Sequence, residues 1–511
     1  MMQAPFVDLS FHITRLFVAP APSEWSHFVV VLFSLGGMIG LSELVRRQLG
    51  WKAEVTRKFV HVAVGVLIFF APSLFRAALI PMLFAATFVV ADTVAIRKGL
   101  LVGIHGTSRY SYGTMFYPLS FLTLTILFWY DAPEIVSLSM ASLALGDASA
   151  AIVGETLRAP HEYRLTTDKK SVEGSVTMAI VTLGTLLGGM AVLGLPARFQ
   201  WSMLVWSAVA ASAVATAWEA ISSKGFDNFT VPMSTAVVLS VFLSSAPGHD
   251  REQLLLGLVL AAGIAAVSWI ARFLTANGSV AVFLLASAVF GLGGWKWTVP
   301  ILTFFVLSSF LSITGGGRKK GLEAIFEKTG ARDSGQVAAN GAVAGFIVLA
   351  QYALPQVDFF PMYLGAVAAV TADTWGTEIG TLVRGATVEL RGLRRVPPGT
   401  NGGVSIAGVA AGVLGAGIVA ASAVPWISVP KSLWIVPAAG VTGSAVDSLL
   451  GSTVQARFRC HVCGKLTERQ MHCGGATELT EGFRWLRNDA VNWLCGLTGA
   501  VSAWFLMDVL H

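Results

Sequence analysis

Apolar stretches of about twenty residues recur along the whole 511-residue chain, each long enough to cross about 30 Å of hydrocarbon as a helix. There are about sixteen of them. Eight fall near 27–45, 59–73, 76–96, 112–130, 133–156, 174–194, 200–221 and 231–246. Eight more fall near 253–271, 279–293, 297–314, 335–353, 359–383, 403–424, 432–452 and 489–509. With 54% hydrophobic and only 13% charged residues, the chain falls far below the charge of a soluble protein. Bilayer spans leave helix as the economical way to pair every backbone group. The expectation is therefore an all-α polytopic integral membrane protein.

Basic residues test the span count, because a wrong number of spans would scatter them over both membrane faces. Of the 35 Lys and Arg, all but Arg15, Arg76, Arg198, Arg251, Lys296 and Lys431 fall in the connections after odd-numbered spans. This sorting places both termini outside and the basic loops in the cytoplasm. A net charge of +6 is too small for a nucleic-acid binder. The first 26 residues carry no apolar run followed by a small-residue cleavage site, so no cleavable signal is expected.

Two segments about 226 residues apart align. Asp147 to Arg158 (DASAAIVGETLR) and Asp373 to Arg384 (DTWGTEIGTLVR) share the pattern D-x6-G-x3-R. With a two-residue insertion the match runs on, 173–189 against 401–417, and at that offset Glu219 meets Asp447. Upstream, 97–109 parallels 319–332; downstream, Asp227-Asn228 parallels Asn488-Asp489 if 457–487 is an insertion. The pattern predicts two tandem eight-span units: an N-terminal segment 1–26, a first membrane domain 27–246 and a second 247–511.

Asp147 and Asp373 each precede a basic loop by eleven residues, about 16 Å along a helix. Intramembrane acids are costly and usually face a polar cavity or a partner. After Asp147 comes a loop with Lys169, Lys170, Ser171, Glu173, Gly174 and Ser175 at the mouth of the next helix; its counterpart holds Arg394, Arg395, Thr400, Asn401, Gly402 and Gly403. Cations, hydroxyls and backbone N–H groups at a helix N-terminus are what a polyphosphate requires, and nearby acids suit Mg²⁺ bridging phosphates. A buried ion pair and a helix-capping basic loop are the bland readings of the same residues. No G-x4-G-K-[ST] is present, which excludes a P-loop nucleotidase.

The first half, through "RKFVHVAVG", "YSYGTMFYPLS", "LGDASAAIVGE", "KSVEGS" and "FDNFTVP", resembles the phytol kinase and dolichol kinase family, itself related to phosphatidate cytidylyltransferase. The second half, through "GGGRKKGLEAIFEKTGARDSGQVAANG", "TADTWGTEIG", "VPPGTNGGVS", "GSAVDSLLGS" and "NDAVN", resembles the phytyl-phosphate kinase family. The resemblance implies CTP, or another nucleoside triphosphate, as donor, a long-chain isoprenoid alcohol such as phytol or geranylgeraniol as the first acceptor, and its monophosphate as the second. The expected location is a bacterial cytoplasmic membrane, with nucleotide sites on the cytoplasmic face that carries the basic loops.

On this basis Asp147, Asp227 and Asn228 are expected to hold the Mg²⁺-nucleotide of a first site, with Lys169 and Lys170 on its phosphates. Arg57 and Lys58 are weaker phosphate candidates, and His61 is the candidate base. Asp373, Glu378, Asp447 and Asp489 form the second metal set, and Lys319, Lys320 and Arg332 are expected to neutralise a phosphorylated acceptor. A transporter, a single active half beside a scaffold, and a phospholipid cytidylyltransferase are the competing readings. Cys460-x2-Cys463 with His472-Cys473 offers a structural Zn²⁺ set, the alternative being unliganded thiols; Cys495 reads as a small apolar residue.

Overall fold

In a computed structural model, residues 9–50, 53–98, 111–243, 248–314, 330–383 and 385–509 are described. The chain divides into two units, Met1–Arg251 and Glu252–His511.

The first unit holds α1 (Leu9–Leu16), α2 (Pro22–Leu49), α3 (Ala53–Leu74), α4 (Leu79–Lys98), α5 (Gly113–Phe128), α6 (Pro133–Thr156), α7 (Val172–Val192), α8 (Trp201–Ile221) and α9 (Asp227–Leu243). Helix α6 is its axis and packs against α3, α7 and α9. That position explains its sequence: Leu138, Met140 and Leu143 are fully buried beside Ser137, Ser139 and Ser142. Two of these serines bond main chain instead of facing hydrocarbon: Ser137 Oγ donates to Phe69 O at 2.7 Å and Ser142 Oγ to Ser139 O at 2.8 Å. Proline at the first turn starts α2 and α6, where its missing N–H costs nothing.

The second unit holds α10 (Gly248–Ile270), which begins at the boundary, then α11 (Ala276–Gly293), α12 (Trp295–Thr314), α13 (Ser334–Ala353), α14 (Phe360–Leu382), α15 (Ile406–Ser422), α16 (Ser432–Thr453) and α17 (Asn488–Val509). Here α14 is the axis, packed on α15, α16 and α17. Close approach rests on glycine: a Cβ at Gly365 would lie 2.4 Å from Gly499 O, so α14 and α17 touch backbone to backbone. Asp333 and Gln336 form a capping box that starts α13.

Each of the sixteen expected spans falls on one helix from α2 to α17. Twelve are long and apolar enough to cross a membrane. Helices α5, α9 and α15 are apolar but shorter, and α14, which carries Asp373 and Glu378, is not among the twelve.

The chain is mostly helical, in line with the sequence reading, and three of its connections fold as small antiparallel sheets. Strands β1 (Glu162–Tyr163) and β2 (Lys170–Ser171) pair; β3 (Thr387–Glu389) lies between β4 (Arg394–Val396) and β5 (Gly403–Ser405). Strands β6 (Arg457–Cys460), β7 (Leu466–Thr467), β8 (Met471–His472) and β9 (Gly475–Glu481) form the third sheet, in the order β7-β6-β9-β8. Strands of two to four residues are too short for alternation to show.

The structure differs from the sequence reading in the register between the two halves. Ser171 Oγ accepts from Gly174 N at the start of α7, and Ser405 Oγ accepts from Gly408 N at the start of α15, both at 3.1 Å. A Cβ on Gly174 would meet Ala150 O, three residues after Asp147; one on Gly408 would meet Gly376 O, three after Asp373. A Cβ on Gly154 or Gly380, seven residues after each aspartate, would meet the capping Ser171 or Ser405 hydroxyl. The same helix crossing thus recurs in each unit with Gly174 matching Gly408, not Gly402. The extra residues form strands β3 to β5, which make the second loop longer than the two-residue insertion allowed.

Candidate functional sites

In the first unit a cavity of about 860 Å³ has a polar head and an apolar shaft. Asp147 of α6, Lys170 and Ser171 of β2, Glu219 at the end of α8, and Asp227 and Asn228 at the start of α9 surround the head. Lys170 Nζ bonds the Glu219 carboxylate and lies 3.6 Å from Asp227 Oδ2. Burial opposes the charge on Lys170, yet Glu219, Asp227 and Asp147 outweigh it and hold its pKa above the usual lysine value. Three carboxylates around one ammonium leave an excess of negative charge, and Glu219 Oε2 is buried without a hydrogen-bond partner.

Arg57, Lys58, Lys169, Gly174 and Ser175 also line this cavity. Lys169 is half-exposed at the rim and donates to Glu162 Oε2 at 2.8 Å. Glu173 does not line it. Its carboxylate turns to His161, accepting from the backbone N–H at 3.0 Å and from ring Nδ1 at 2.6 Å, so its expected place among the phosphate ligands is not where the structure puts it.

His61 sits where head meets shaft. Its ring packs 4.4 Å from that of Tyr117, and its Nε2 is buried without a partner. Beyond it the shaft runs between α2, α3, α4 and α5, past Leu35, Val64, Ile68, Phe84 and Phe121, to Leu74 and Phe75. Between His61 and Leu74 α3 rises about 20 Å, about two thirds of the thickness of a bilayer's hydrocarbon. The sequence reading identified the head but not this shaft, whose walls come from helices scattered along the chain.

In the second unit a cavity of about 720 Å³ gathers Asp373 and Glu378 of α14, Asp447 of α16, Asp489 of α17 and the turn Thr400–Gly403. The Asp373 and Asp447 carboxyls meet, and Asp447 Oδ2 is buried with no donor on it. Ser312 Oγ donates to Glu378 Oε1 at 2.9 Å. Gly402 has φ +72° and a Cβ there would lie 2.5 Å from Ser448 O, so this turn needs glycine. Arg332 lines the wall, as does Arg272, while Lys319 and Lys320 lie outside the described residues.

Sequence reasoning did not single out Glu468, which follows β7, is buried at this cavity and accepts from Gln455 Nε2 at 3.0 Å. No motif marked it, because its approach depends on the third sheet. At the far end of that sheet Cys460, Cys463, His472 and Cys473 converge, their ligand atoms all within 4.8 Å of one another. Backbone N–H of Cys463 is the chief group pulling the Cys460 thiol down to about 6.

Apolar helices around buried carboxylate clusters define an integral membrane protein with polar cavities among its helices. Residues 259–500 match the DUF92 family of integral membrane proteins. Over 211 residues the chain is 32% identical to phytol kinase of Synechocystis sp., covering 40% of this chain and 86% of that protein. It is 27% identical over 269 residues to Protein PGR of Arabidopsis thaliana, covering 47% of this chain and 92% of that protein. It is 26% identical over 236 residues to the probable chloroplastic phytol kinase 3 of Glycine max, covering 41% and 71% respectively. No solved structure gives a significant match. The chain belongs to the phytol/dolichol-kinase-like family of membrane proteins.

Proposed function

We propose that the protein is a bifunctional membrane isoprenoid kinase. The first unit phosphorylates a prenyl alcohol to the monophosphate, and the second converts that monophosphate to the diphosphate. Both use CTP or another nucleoside triphosphate, at sites on the inner face of a bacterial cytoplasmic membrane, within two tandem eight-helix units.

The observation that carries the reading is the first cavity, where an apolar shaft about 20 Å long ends at a head lined by Asp147, Lys170, Glu219 and Asp227. An isoprenoid chain suits the shaft, and its hydroxyl would then lie beside His61. There the alcohol oxygen attacks the γ-phosphorus, the bond to the β–γ bridging oxygen breaks, and the nucleoside diphosphate leaves. The hydroxyl proton passes to His61 Nε2, which has no other partner. Arg57, Lys58, Lys169 and the N–H groups at the start of α7 bind phosphate oxygens.

Donor chemistry in both cavities fits a divalent cation. Asp147 and Asp227 in the first, and Asp373, Asp447, Glu378 and Asp489 in the second, are hard oxygen ligands suited to Mg²⁺. Unpartnered Glu219 Oε2 and Asp447 Oδ2 make carboxylate oxygens available, and the meeting Asp373 and Asp447 carboxyls call for a shared positive charge. Bound Mg²⁺ would neutralise charge on the transferring phosphoryl group.

The second cavity has few large apolar walls, but Arg272 and Arg332 line it, which suits an acceptor that already carries phosphate. The test is to incubate detergent-purified protein with Mg²⁺, γ-labelled CTP, prenols and prenyl monophosphates. Labelled mono- and diphosphate products are expected. No labelled lipid with CTP, ATP, GTP or UTP overturns the kinase reading and favours a transporter; labelled monophosphate alone restricts activity to one unit.

A further inference from the structure

We infer that the Cys460, Cys463, His472 and Cys473 cluster is a structural zinc site that fixes the wall of the second cavity. The inference does not depend on the reaction catalysed there.

Two turns face each other across the third sheet. Cys460 closes β6 and Cys463 follows in a turn, where Gly464 N donates to Cys460 O at 3.0 Å and Gly464 has φ +71°. His472 closes β8, Cys473 has φ +51° and Gly474 has φ +78°. Left-handed residues on both turns bend the chain so that thiols point inwards rather than along the strands. Cys463 Sγ and Cys473 Sγ lie 3.5 and 3.2 Å from His472 Nδ1. Tetrahedral Zn²⁺, with bonds of about 2.3 Å to sulfur and 2.0 Å to nitrogen, places neighbouring ligands about 3.5–3.8 Å apart. The observed spacing needs only small shifts to receive it, and three thiolates with one imidazole select zinc over a hard cation such as Mg²⁺.

The module has reason to need such a cross-link. Between Arg457 and Arg487 the large buried apolar side chains are Phe458 and Leu486, while Val462, Met471 and Trp485 are exposed. So small a core cannot fix a sheet by burial alone. Yet this sheet is placed with care. From the other end of β6, Arg457 Nη2 donates to Asn401 O at 3.0 Å and Gly451 O at 3.2 Å. The segment after β7 delivers Glu468 to the cavity. Zinc thus anchors one end of the strand pair whose other end holds the glycine-rich turn.

Full-length protein purified in detergent without chelator should contain equimolar zinc, and Cys463→Ser/Cys473→Ser should lose it. Cobalt-exchanged protein should show thiolate-to-cobalt charge-transfer absorption. Chelation should speed hydrogen exchange in Arg457–Cys460 and Gly475–Glu481 while leaving α6 unchanged, and added zinc should restore protection. Protein with negligible zinc and freely alkylated thiols, or with a disulfide among these cysteines, overturns the inference. So does zinc retained in full by the double variant.

Discussion

Lys170 is held by carboxylates from two other elements, Glu219 at the end of α8 and Asp227 at the start of α9. Its side chain is 15% exposed and that of Glu219 is 7% exposed, so the pair stands largely outside water. Removing one partner of a buried pair leaves the other charged and unsatisfied, at a cost of about 3–5 kcal/mol. Lys170→Met is expected to lower the unfolding temperature in detergent sharply. Lys170→Met/Glu219→Gln should recover part of that loss, because the stranded carboxylate is gone. A double variant no more stable than the single one would show that the pair is not the source of the effect. Asp147 and Asp373 were legible in the sequence because a charge within an apolar run demands an explanation, and Lys170 because it stands in a cationic loop at the mouth of a helix. Glu468 carried no such signal: it lies in a polar loop, and only the pairing of β6 with β7 and β9 brings that loop to the cavity.

At the scale of elements, the helices were largely legible, since length and apolarity are local properties. The register between the two halves was not. Gly-rich helices such as α15 offer many glycine pairings, and the choice of Gly402 over Gly408 as partner of Gly174 could be settled only by which serine caps the helix. The shaft was invisible for a different reason: α2, α3, α4 and α5 each look like ordinary spans until they pack. Its end at Leu74 and Phe75 is stiffly built. Arg76 N donates to Glu24 Oε1 at 2.8 Å, Trp129 Nε1 donates to Arg76 O at 3.2 Å, and His27 Nδ1 bonds Leu74 O at 2.7 Å. A floor pinned by three helices cannot yield to a longer chain. Phe75→Ala should therefore extend the range of prenols accepted, whereas Ala71→Phe, one turn nearer the head on α3, should shorten it by about 6 Å. Product analysis across a prenol series checks both; identical chain-length profiles for wild type and both variants would show that the acceptor lies elsewhere.

For the whole molecule, the decisive matter is whether the two cavities act separately. Each unit has its own axial helix, its own aspartate and its own serine-capped helix beginning beside it. The head of the first cavity pairs its acids with a buried lysine, whereas the second brings two carboxyls together and lines its wall with Arg272 and Arg332. If these differences suit an alcohol and a phosphate acceptor respectively, then a neutral replacement in one unit should leave the chemistry of the other intact. Asp147→Asn preserves volume while removing charge, and loss of one group that stabilises a phosphoryl transition state costs about 10²-fold or more in rate. Monophosphate formation should fall by that factor, while added prenyl monophosphate is still converted to diphosphate. Asp373→Asn should do the reverse, so that monophosphate accumulates from the alcohol. Loss of both conversions in either folded variant would mean that one site performs both steps.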